Sequence, residues 1–183
     1  MEFLKKFDFE KLKNYGYKEN DLWVLVKVNE QKLYLLQGKK VLKEYAVSTA
    51  KNGVGNVEGS FCTPLGLHRI CEKIGKGLPL GAVLKGRKFT GEIADIEKRP
   101  VSTGKDLITT RILWLEGLEE GKNRGYNEKG RFVDTKKRYI YIHGTNEEGL
   151  IGKPVSHGCI RMKNKDILDL WEKIEKGIIV LII

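Results

Sequence analysis

Short apolar runs separated by tight turns occupy the first quarter of the chain and constrain its fold most. Residues 22–28 and 32–37 flank one turn, and residues 41–48 follow another turn at Gly38. Runs of this length that are rich in valine and leucine are typical of β-strands, and tight turns between them favour antiparallel pairing. The sequence therefore predicts an antiparallel three-stranded meander here.

Three further runs predict strands in the second half of the chain. Residues 107–115 are apolar and β-branched, which predicts a central strand. Residues 138–143 alternate between apolar and polar side chains, which predicts a strand that ends at His143. Residues 178–183 form the longest apolar run, and this run fits a buried terminal strand.

Glycine-rich stretches predict the irregular parts of the chain. Residues 51–60 and 75–91 are punctuated by glycine and are expected to be loops, whereas residues 61–70 turn at Pro64 and re-enter a strand. Residues 117–137 are charged and glycine-rich, which predicts a long excursion over the surface. Because long ordered loops often border functional sites, a lid role for this excursion is a hypothesis.

Apolar residues at helical spacing predict two helices. The first is a short lead-in within residues 1–20 that ends at Gly16, and its apolar stripe consists of Phe3, Phe7, Leu12 and Tyr15. The second helix spans residues 165–176, with Asn164 as its N-cap and Gly177 closing it. Its apolar positions are Ile167, Leu170, Trp171 and Ile174.

The charge of the chain limits its partners. The formal net charge is +10, and 40% of the residues are hydrophobic, which indicates a soluble globular protein rather than a disordered one. A basic surface could attract nucleic acid, anionic lipid or an anionic cell-wall polymer, but the charges are scattered and no nucleic-acid motif is present. A solvated lysine- and glutamate-rich surface is the favoured interpretation. Nothing in the sequence predicts an oligomeric state.

The sequence shows no export or membrane segment. No apolar run approaches the ~20 residues that a membrane helix needs. Residues 1–10 lack the apolar core and small-residue cleavage site of a secretory signal peptide. We expect that the chain stays inside the cell, leaves by another route, or is numbered after removal of a leader.

The cysteines argue against a disulfide framework. There are three, Cys62, Cys71 and Cys159, so at least one thiol is free. Cys62 and Cys71 could pair, but ordinary thiols are favoured. Cys159 differs because it lies in a glycine-flanked segment, and the surrounding residues read Ser156-His157-Gly158-Cys159-Ile160-Arg161-Met162.

This segment predicts a nucleophile for acyl transfer. A thiolate forms readily when a nearby imidazole can accept its proton, and His143 lies 16 positions earlier (159 − 143). Gly158 permits unusual backbone angles, so the amides of His157, Gly158 and Cys159 could converge as an oxyanion hole. A buried structural thiol is the alternative for Cys159.

The two histidines are expected to play different roles. His143 is the candidate general base or imidazolium partner, and either the Gly144 carbonyl or Thr145 could fix its tautomer. A histidine that merely caps a strand is the alternative. For His157, a scaffold role in the oxyanion loop with a substrate contact is favoured over direct proton transfer.

Arg161 is a candidate for binding a substrate carboxylate, because its planar guanidinium matches that group. A structural ion pair or a surface cation is the alternative. A zinc site built from His143, His157 and Cys159 is disfavoured, since no second Cys or His pair has ligand spacing and His68 is remote. The predicted metal content is therefore none.

These residues resemble the signature of the L,D-transpeptidases, the YkuD-type catalytic domain. The resemblance starts from His143-Gly144-Thr145 and the segment around Cys159, and it extends to Thr63-Pro64-Leu65-Gly66, to Gln31-Lys32-Leu33-Tyr34-Leu35-Leu36 and to Tyr45-Ala46-Val47-Ser48-Thr49. It covers residues 22–183, with residues 1–21 as the helical lead-in. It implies a mainly β, sandwich-like fold with a few helices and one C-terminal helix packed near the site.

The resemblance also implies a substrate, the stem tetrapeptide of peptidoglycan. Cys159 would attack the third-position carbonyl, form a thioester and release D-alanine. Attack by an amine of a second stem would give a 3→3 cross-link; attack by water would make the protein an L,D-carboxypeptidase, and attack by a lipoprotein lysine would anchor that protein. Carbapenems are expected to acylate Cys159, and no cofactor is implied.

The resemblance assigns the neighbouring residues as well. Ser156 and Gly144 would support the oxyanion loop, and Thr145 would contact the substrate together with Arg161. A cell-envelope or periplasmic location follows from the substrate, whereas the missing leader leaves a cytoplasmic acyltransferase or hydrolase as an alternative. A non-catalytic wall-binding protein is a further alternative, but the intact Cys/His set argues against it.

Overall fold

The fold is mainly β. A computed structural model describes residue 4 and residues 7–183, and ten strands form one connected sheet among them. In chain order the strands are β1 (Leu22–Lys27), β2 (Lys32–Gln37), β3 (Lys40–Ala46), β4 (Gly66–Ile74), β5 (Ala82–Lys85), β6 (Lys88–Ile93), β7 (Ile108–Gly117), β8 (Tyr141–Thr145), β9 (Ile160–Met162) and β10 (Ile179–Ile182). Within residues 7–183 the α-helices are α1 (Glu10–Lys13) and α2 (Asn164–Lys173), and short 3₁₀ helices lie at Val28–Glu30 and Glu148–Leu150.

Eight strands follow one path across the sheet, in the order β3-β2-β1-β10-β4-β7-β5-β6. β1, β2 and β3 pair antiparallel, so the predicted meander is confirmed. β10 is inserted between β1 and β4 and runs parallel to β1, which confirms the buried terminal strand. β7 also pairs with β8, and β8 pairs with β9, so these two strands branch from the central strand β7.

The branch strands and α2 pack over one face of the sheet. This core brings together Val24, Leu35, Ile70 and Val180 from the main path, Ile142 and Ile160 from the branch strands, and Ile167 and Leu170 from α2. Burial of such apolar side chains is the main favourable contribution to folding. The predicted sandwich-like arrangement, with a C-terminal helix next to the predicted site, is confirmed.

The lead-in covers the opposite face of the sheet. Leu12 and Tyr17 are buried there against Trp23 and Leu25 of β1. Because successive strand residues point to opposite faces, this second core explains why β1 is apolar without alternation. α1 ends at Lys13, earlier than predicted, and the predicted stripe residue Phe3 lies outside the described residues.

The prediction that residues 75–91 are irregular is wrong. They contain β5 and the start of β6, which form a hairpin with Lys85 opposite Lys88. Its turn residues Gly86 and Arg87 have φ of 55° and 66°. Left-handed backbone at both positions is the geometry of a type I′ turn, which arginine rarely adopts, so the usual sequence signal was missing.

The prediction that Asn164 caps α2 through its side chain is also wrong. Asn164 is the first residue of the helix, and its side chain donates to the Thr145 carbonyl at 2.9 Å. Its amide oxygen accepts from the hydroxyls of Thr109 and Thr110 at 2.6 and 2.5 Å. These bonds join the start of α2 to β7 and β8. The helix ends at Lys173, so Gly177 lies in the turn beyond it.

The excursion 117–137 packs onto the start of β4. The Asn123 side chain donates to the carbonyls of Leu65 and Leu67, and His68 lies 3.0 Å from the Thr135 hydroxyl. The excursion is therefore tied to the turn at Pro64, while its lid role stays a prediction. Within the described ranges, no helix has the length and hydropathy needed to span a bilayer.

Candidate active site

The parallel pairing of β8 and β9 brings the predicted site residues together. Ile142 pairs with Ile160, and His143 pairs with Arg161, while Cys159 immediately precedes β9. Because Ile142 and Ile160 point into the core, the alternating side chains of His143, Arg161 and Cys159 lie on the other face. His143 is the third residue of β8, so the prediction that it ends the strand is wrong.

The thiol of Cys159 lies between two backbone groups at the start of β8. The Tyr141 amide donates to Sγ at 3.3 Å, and Sγ lies 3.6 Å from the Tyr139 carbonyl, to which it can donate. The side chain is half-buried rather than enclosed. The sulfur is thus held in a defined position from which a ligand can still reach it.

His143 is held in one tautomer by its own strand. The ring is buried, and Nδ1 lies 2.6 Å from the Gly144 carbonyl oxygen. A carbonyl oxygen can only accept, so Nδ1 bears the proton of the neutral ring and Nε2 is left as the acceptor. Of the two groups considered for this orienting role, the geometry selects the Gly144 carbonyl.

Burial keeps both the thiol and the imidazole uncharged near neutral pH. Burial raises the pKa of Cys159 to about 11, although the Tyr141 amide opposes this rise. Burial lowers the pKa of His143 to about 4, against the opposing effects of the Gly144 carbonyl and Asp106. A low-dielectric site disfavours the charged forms of both groups. At rest, therefore, the thiol and the imidazole are both neutral.

The Ser156 hydroxyl closes the turn that presents Cys159. It donates to the Cys159 carbonyl at 2.6 Å and accepts from the Gly158 amide at 3.2 Å. The Gly158 amide is thus already bonded within the turn. The amides of His157 and Cys159 are the other two that the sequence predicted as donors of an oxyanion hole.

Glycine is required at two positions around this turn. Gly158 has φ of +135°, and a Cβ there would lie 3.0 Å from the Ile140 side chain and 3.3 Å from the Cys62 carbonyl oxygen. A Cβ at Gly144 would lie 2.6 Å from the Thr109 carbonyl oxygen. A residue with a Cβ is strained at the positive φ of Gly158, and contacts this short crowd a Cβ at either position.

Arg161 is buried and already bound to two carboxylates. Its guanidinium lies 2.7 Å from Asp106 and 3.0 Å from Glu147, and its side chain is only 3% exposed. Glu147 also accepts from the Thr103 amide and hydroxyl, which fixes the loop before β7. The arginine therefore joins three segments of the site.

Asp106 is a residue of the site that sequence reasoning missed. It lies 2.9 Å from His157 Nδ1, in addition to its bond with Arg161. Burial would raise its pKa, but Arg161, His157 and His143 outweigh that effect and hold the pKa below its ordinary value. The carboxylate stays ionised. No motif marked it, because its partners lie 51 and 55 positions away (157 − 106 and 161 − 106).

The remaining predicted residues differ in exposure. His157 is 71% exposed and stands at the rim of the site. Thr145 is fully buried, and its hydroxyl accepts from the Glu147 amide. His157 can therefore touch a ligand directly, whereas Thr145 has no exposed surface through which to do so.

Two exposed aromatic residues flank the Cys159 turn in left-handed backbone. Phe61 has φ of 54° and is 56% exposed, and its ring lies against His157. Tyr139 has φ of 56° and is 55% exposed, and its ring stacks on Trp114. Positive φ is rare for aromatic residues, and strained backbone of this kind is enriched at functional sites. Neither residue had a signal in the sequence.

The other cysteines and the remote histidine are separate from this site in function. Cys62 and Cys71 are both free thiols, so the pairing that the sequence left open does not form. His68 is buried between the Gly66 carbonyl and Thr135. In the part of the chain that the structure covers, no cluster of three or more His, Cys, Asp or Glu side chains could hold a metal ion.

The sequence matches a known family over nearly its whole length. Residues 21–182 match the family model described as YkuD, the L,D-transpeptidase catalytic domain. YkuD of Bacillus subtilis (strain 168), provisionally named an L,D-transpeptidase, is 36% identical over 78 residues, which are 43% of this chain and 48% of that protein. YbiS of Escherichia coli (strain K12), named in the same way, is 50% identical over 51 residues, 28% of this chain and 17% of that protein. The match therefore spans half or less of these relatives.

Solved structures share the fold. An L,D-transpeptidase from Mycobacterium smegmatis matches with a TM-score of 0.50 and 14% identity, over 88% of this chain and 58% of that one. A cysteine-to-serine variant of an Enterococcus faecium L,D-transpeptidase matches with a TM-score of 0.51 and 17% identity, over 89% of this chain and 50% of that one. At these identities the match concerns the fold alone.

Proposed function

Because the chain belongs to the YkuD family of L,D-transpeptidase catalytic domains, we propose that it is a cysteine acyltransferase that cross-links peptidoglycan stem peptides. The observation that supports this most is the position of Cys159. Its half-buried thiol is held by the Tyr139 and Tyr141 backbone, on the face of β8 that also presents His143. A binding protein has no need of such an arrangement.

The first half of the reaction forms a thioester. As Sγ of Cys159 attacks the carbonyl of the third stem residue, His143 accepts the thiol proton at Nε2, which its Nδ1–Gly144 bond leaves free. The C–N bond to D-alanine then breaks, and the imidazolium returns the proton to the leaving amine. The neutral resting pair suits this order, because charge develops only as the bond forms.

The second half transfers the acyl group to an acceptor. An amine of a second stem attacks the thioester carbonyl and His143 takes the proton of that amine. The C–S bond then breaks, and the imidazolium returns the proton to the leaving thiolate, which regenerates the thiol and leaves a 3→3 cross-link. Water as the acceptor gives a carboxypeptidase instead, and a lipoprotein lysine gives protein anchoring. These three outcomes share one acyl-enzyme.

The oxyanion of each tetrahedral intermediate is assigned to backbone donors of the turn. The Gly158 amide is bonded to Ser156, so the amides of Cys159 and His157 are the proposed donors. Loss of one such donor typically costs about 3 kcal/mol of transition-state stabilisation. Ser156 and Gly158 then act by holding the turn in shape.

Arg161 and Thr145 are proposed to position the site rather than to contact substrate. Both nitrogen arms of Arg161 are bound to carboxylates, and Thr145 is fully buried. Gly144 likewise acts by orienting His143. Since the substrate lies outside the cytoplasmic membrane, the proposed location is the cell envelope.

Product analysis tests this function. The purified chain is incubated with a tetrapeptide-bearing muropeptide, and the products are separated and identified by mass spectrometry. We expect loss of alanine with a cross-linked dimer, and no product with Cys159→Ala. His143→Ala is expected to lower the rate by about 10²–10⁴-fold. Tripeptide monomer alone would establish the carboxypeptidase, and turnover by Cys159→Ala would overturn the assignment of the nucleophile.

Carbapenem labelling is an independent test. An L,D-transpeptidase with this fold has been solved in complex with imipenem, at 15% identity and a TM-score of 0.51. We propose that imipenem acylates Cys159 here, which would be seen as an adduct mapped to the peptide that contains Cys159. An adduct on Cys62 or Cys71 would contradict the proposal.

A further inference from the structure

The proposed substrate is rich in carboxylates, yet two arginines near the nucleophile are already committed to other groups. Arg161 is bound by Asp106 and Glu147. Arg138 donates to the backbone carbonyls of Asn56 and Cys62, at 2.9 and 2.8 Å. Both terminal nitrogens of each guanidinium are thus engaged, and the Nε of Arg161, which has no partner, is buried.

Arg87 differs from these two arginines. Its guanidinium carbon lies 4.5 Å from the ring centroid of Trp114 and 5.4 Å from that of Tyr139. It donates to the Tyr141 hydroxyl at 3.2 Å. Among the described residues no carboxylate forms an ion pair with it, and Glu72 acts on it only through a longer-range charge interaction.

The hairpin presents Arg87 at the cost of backbone strain. Arg87 is the second residue of the turn between β5 and β6, with φ of 66°. Left-handed backbone costs roughly 1–2 kcal/mol for a residue with a Cβ, and such strain concentrates at functional sites. Every residue of β6 is exposed, so solvent and ligands can reach this hairpin.

Arg87 contacts the side chains of two tyrosines whose backbone groups lie next to the Cys159 sulfur. Tyr139, on which the guanidinium stacks, provides the carbonyl next to Cys159 Sγ, and Tyr141, to which it donates, provides the amide. Arg87 is therefore linked to the surroundings of the thiol through the side chains of Tyr139 and Tyr141.

We propose that Arg87 binds a carboxylate of the acyl donor and thereby selects the donor and places its carbonyl at Cys159. A guanidinium stacked on an aromatic face keeps its edge available for a bidentate bond to a carboxylate. Two carboxylates of the donor stem could supply this group, the terminal carboxylate of the leaving residue and the side-chain carboxylate of the attacked diaminoacyl residue. The assignment rests on the proposed function.

Calorimetric binding to Cys159→Ala protein tests the assignment without turnover. The probes are the stem tetrapeptide with its glutamyl carboxylate amidated, the same peptide with a C-terminal amide, and the same peptide with an amide on the diaminoacyl side chain. We expect one of the two added amides to weaken binding by about ten- to hundredfold, the range for a hydrogen bond to a charged group. Equal affinity for all three probes, measured with Arg87 unsubstituted, would overturn the proposal.

Variants at position 87 complete the cycle. Arg87→Gln should weaken binding of the probe without an added amide by the same factor. It should not weaken further the binding of the probe whose added amide already reduces affinity for the Cys159→Ala protein. Lys88→Gln removes a neighbouring charge from the same exposed hairpin and should leave binding nearly unchanged. Equal effects of both variants, or an equal loss for all probes with Arg87→Gln, would overturn the proposal.

Acylation separates this proposal from the proposed function. With Cys159 present, intact-protein mass spectrometry follows thioester formation from each probe. Slower acylation by Arg87→Gln at low donor concentration, with a normal rate at saturation, is the expected result. If wild-type protein binds the probes with Arg87-dependent selectivity but never forms a thioester, the proposed function fails while the carboxylate site stands.

Discussion

The Thr63 hydroxyl donates a hydrogen bond to the Gly158 carbonyl over 3.0 Å, across 95 positions of sequence. The same hydroxyl oxygen accepts from the Ala50 amide at 3.0 Å. A fully buried threonine next to Pro64 thus supports the turn that carries Cys159. This bond joins the threonine-proline turn to the cysteine segment, two of the stretches that carry the resemblance to the family.

Replacing this threonine tests the support of the turn. Thr63→Val keeps the side-chain shape but leaves the Gly158 carbonyl and the Ala50 amide unsatisfied, which typically costs about 1–3 kcal/mol each. We expect a lower unfolding midpoint in urea together with slower acylation of Cys159. Thr90→Val is the matched control, since its hydroxyl bonds to the Val83 carbonyl on the exposed hairpin. An equal effect of both variants on acylation would contradict this role.

Alanine at Gly158 should abolish catalysis through a specific clash. The Cβ would meet the Ile140 side chain and the Cys62 carbonyl, so the turn must shift and move the Cys159 sulfur. Gly152→Ala is the control, because Gly152 also has positive φ, +99°, but a Cβ there meets nothing within 4 Å. Gly152→Ala should lose about 1–2 kcal/mol of stability through backbone strain, Gly158→Ala should lose more, and only Gly158→Ala should lose acylation. Loss of acylation in both would show that backbone strain alone is responsible.

The pH dependence of alkylation tests the neutral thiol–imidazole pair. Because burial holds the pKa of Cys159 at about 11 and that of His143 at about 4, the thiol is protonated throughout the range between them. The rate of iodoacetamide labelling at Cys159, measured by peptide mapping, should therefore rise continuously from pH 6 to pH 9. A plateau that begins below pH 7 would indicate a thiolate–imidazolium pair and would contradict this prediction.

Asp106 is predicted to be needed for catalysis although it forms no bond to Cys159. Asp106→Asn removes the charge that links Arg161 to His157 and leaves Arg161 with one carboxylate. Breaking a buried ion pair is costly, so we expect slower acylation by about tenfold or more. Glu97→Gln, which breaks the pair with Arg99 in the same loop, is the control. Normal acylation by Asp106→Asn would remove this residue from the site.

Local patterns predicted much of the sheet. The meander, the central strand β7 and the terminal strand β10 each follow from an apolar run bounded by turn residues. The β5–β6 hairpin was missed because β6 is exposed along its whole length, so it shows no alternation, and its turn places Arg87 where glycine or asparagine is usual. The missed hairpin is also the element that presents Arg87 to the site.

Residue types and spacing marked Cys159 and His143 as candidates, and the parallel pairing of β8 and β9 places both on one face of these strands. Their catalytic roles stay predictions. Side chains that the fold brings together from distant segments had no such signal in the sequence. The environment of Arg161 depends on Asp106 and Glu147, which lie in separate segments. The strained aromatic residues Phe61 and Tyr139 follow from backbone geometry that no local pattern encodes.

The mass of the intact protein during incubation with a stem tetrapeptide tests the role of Cys159 most directly. We expect an adduct equal to the donor minus D-alanine, mapped to the peptide that contains Cys159 and removed by hydroxylamine, as expected for a thioester. Cys159→Ala should show no adduct while its circular dichroism spectrum stays native. An unchanged mass during D-alanine release, or an adduct on Cys62 or Cys71, would contradict the central claim that Cys159 is the acyl-transfer nucleophile.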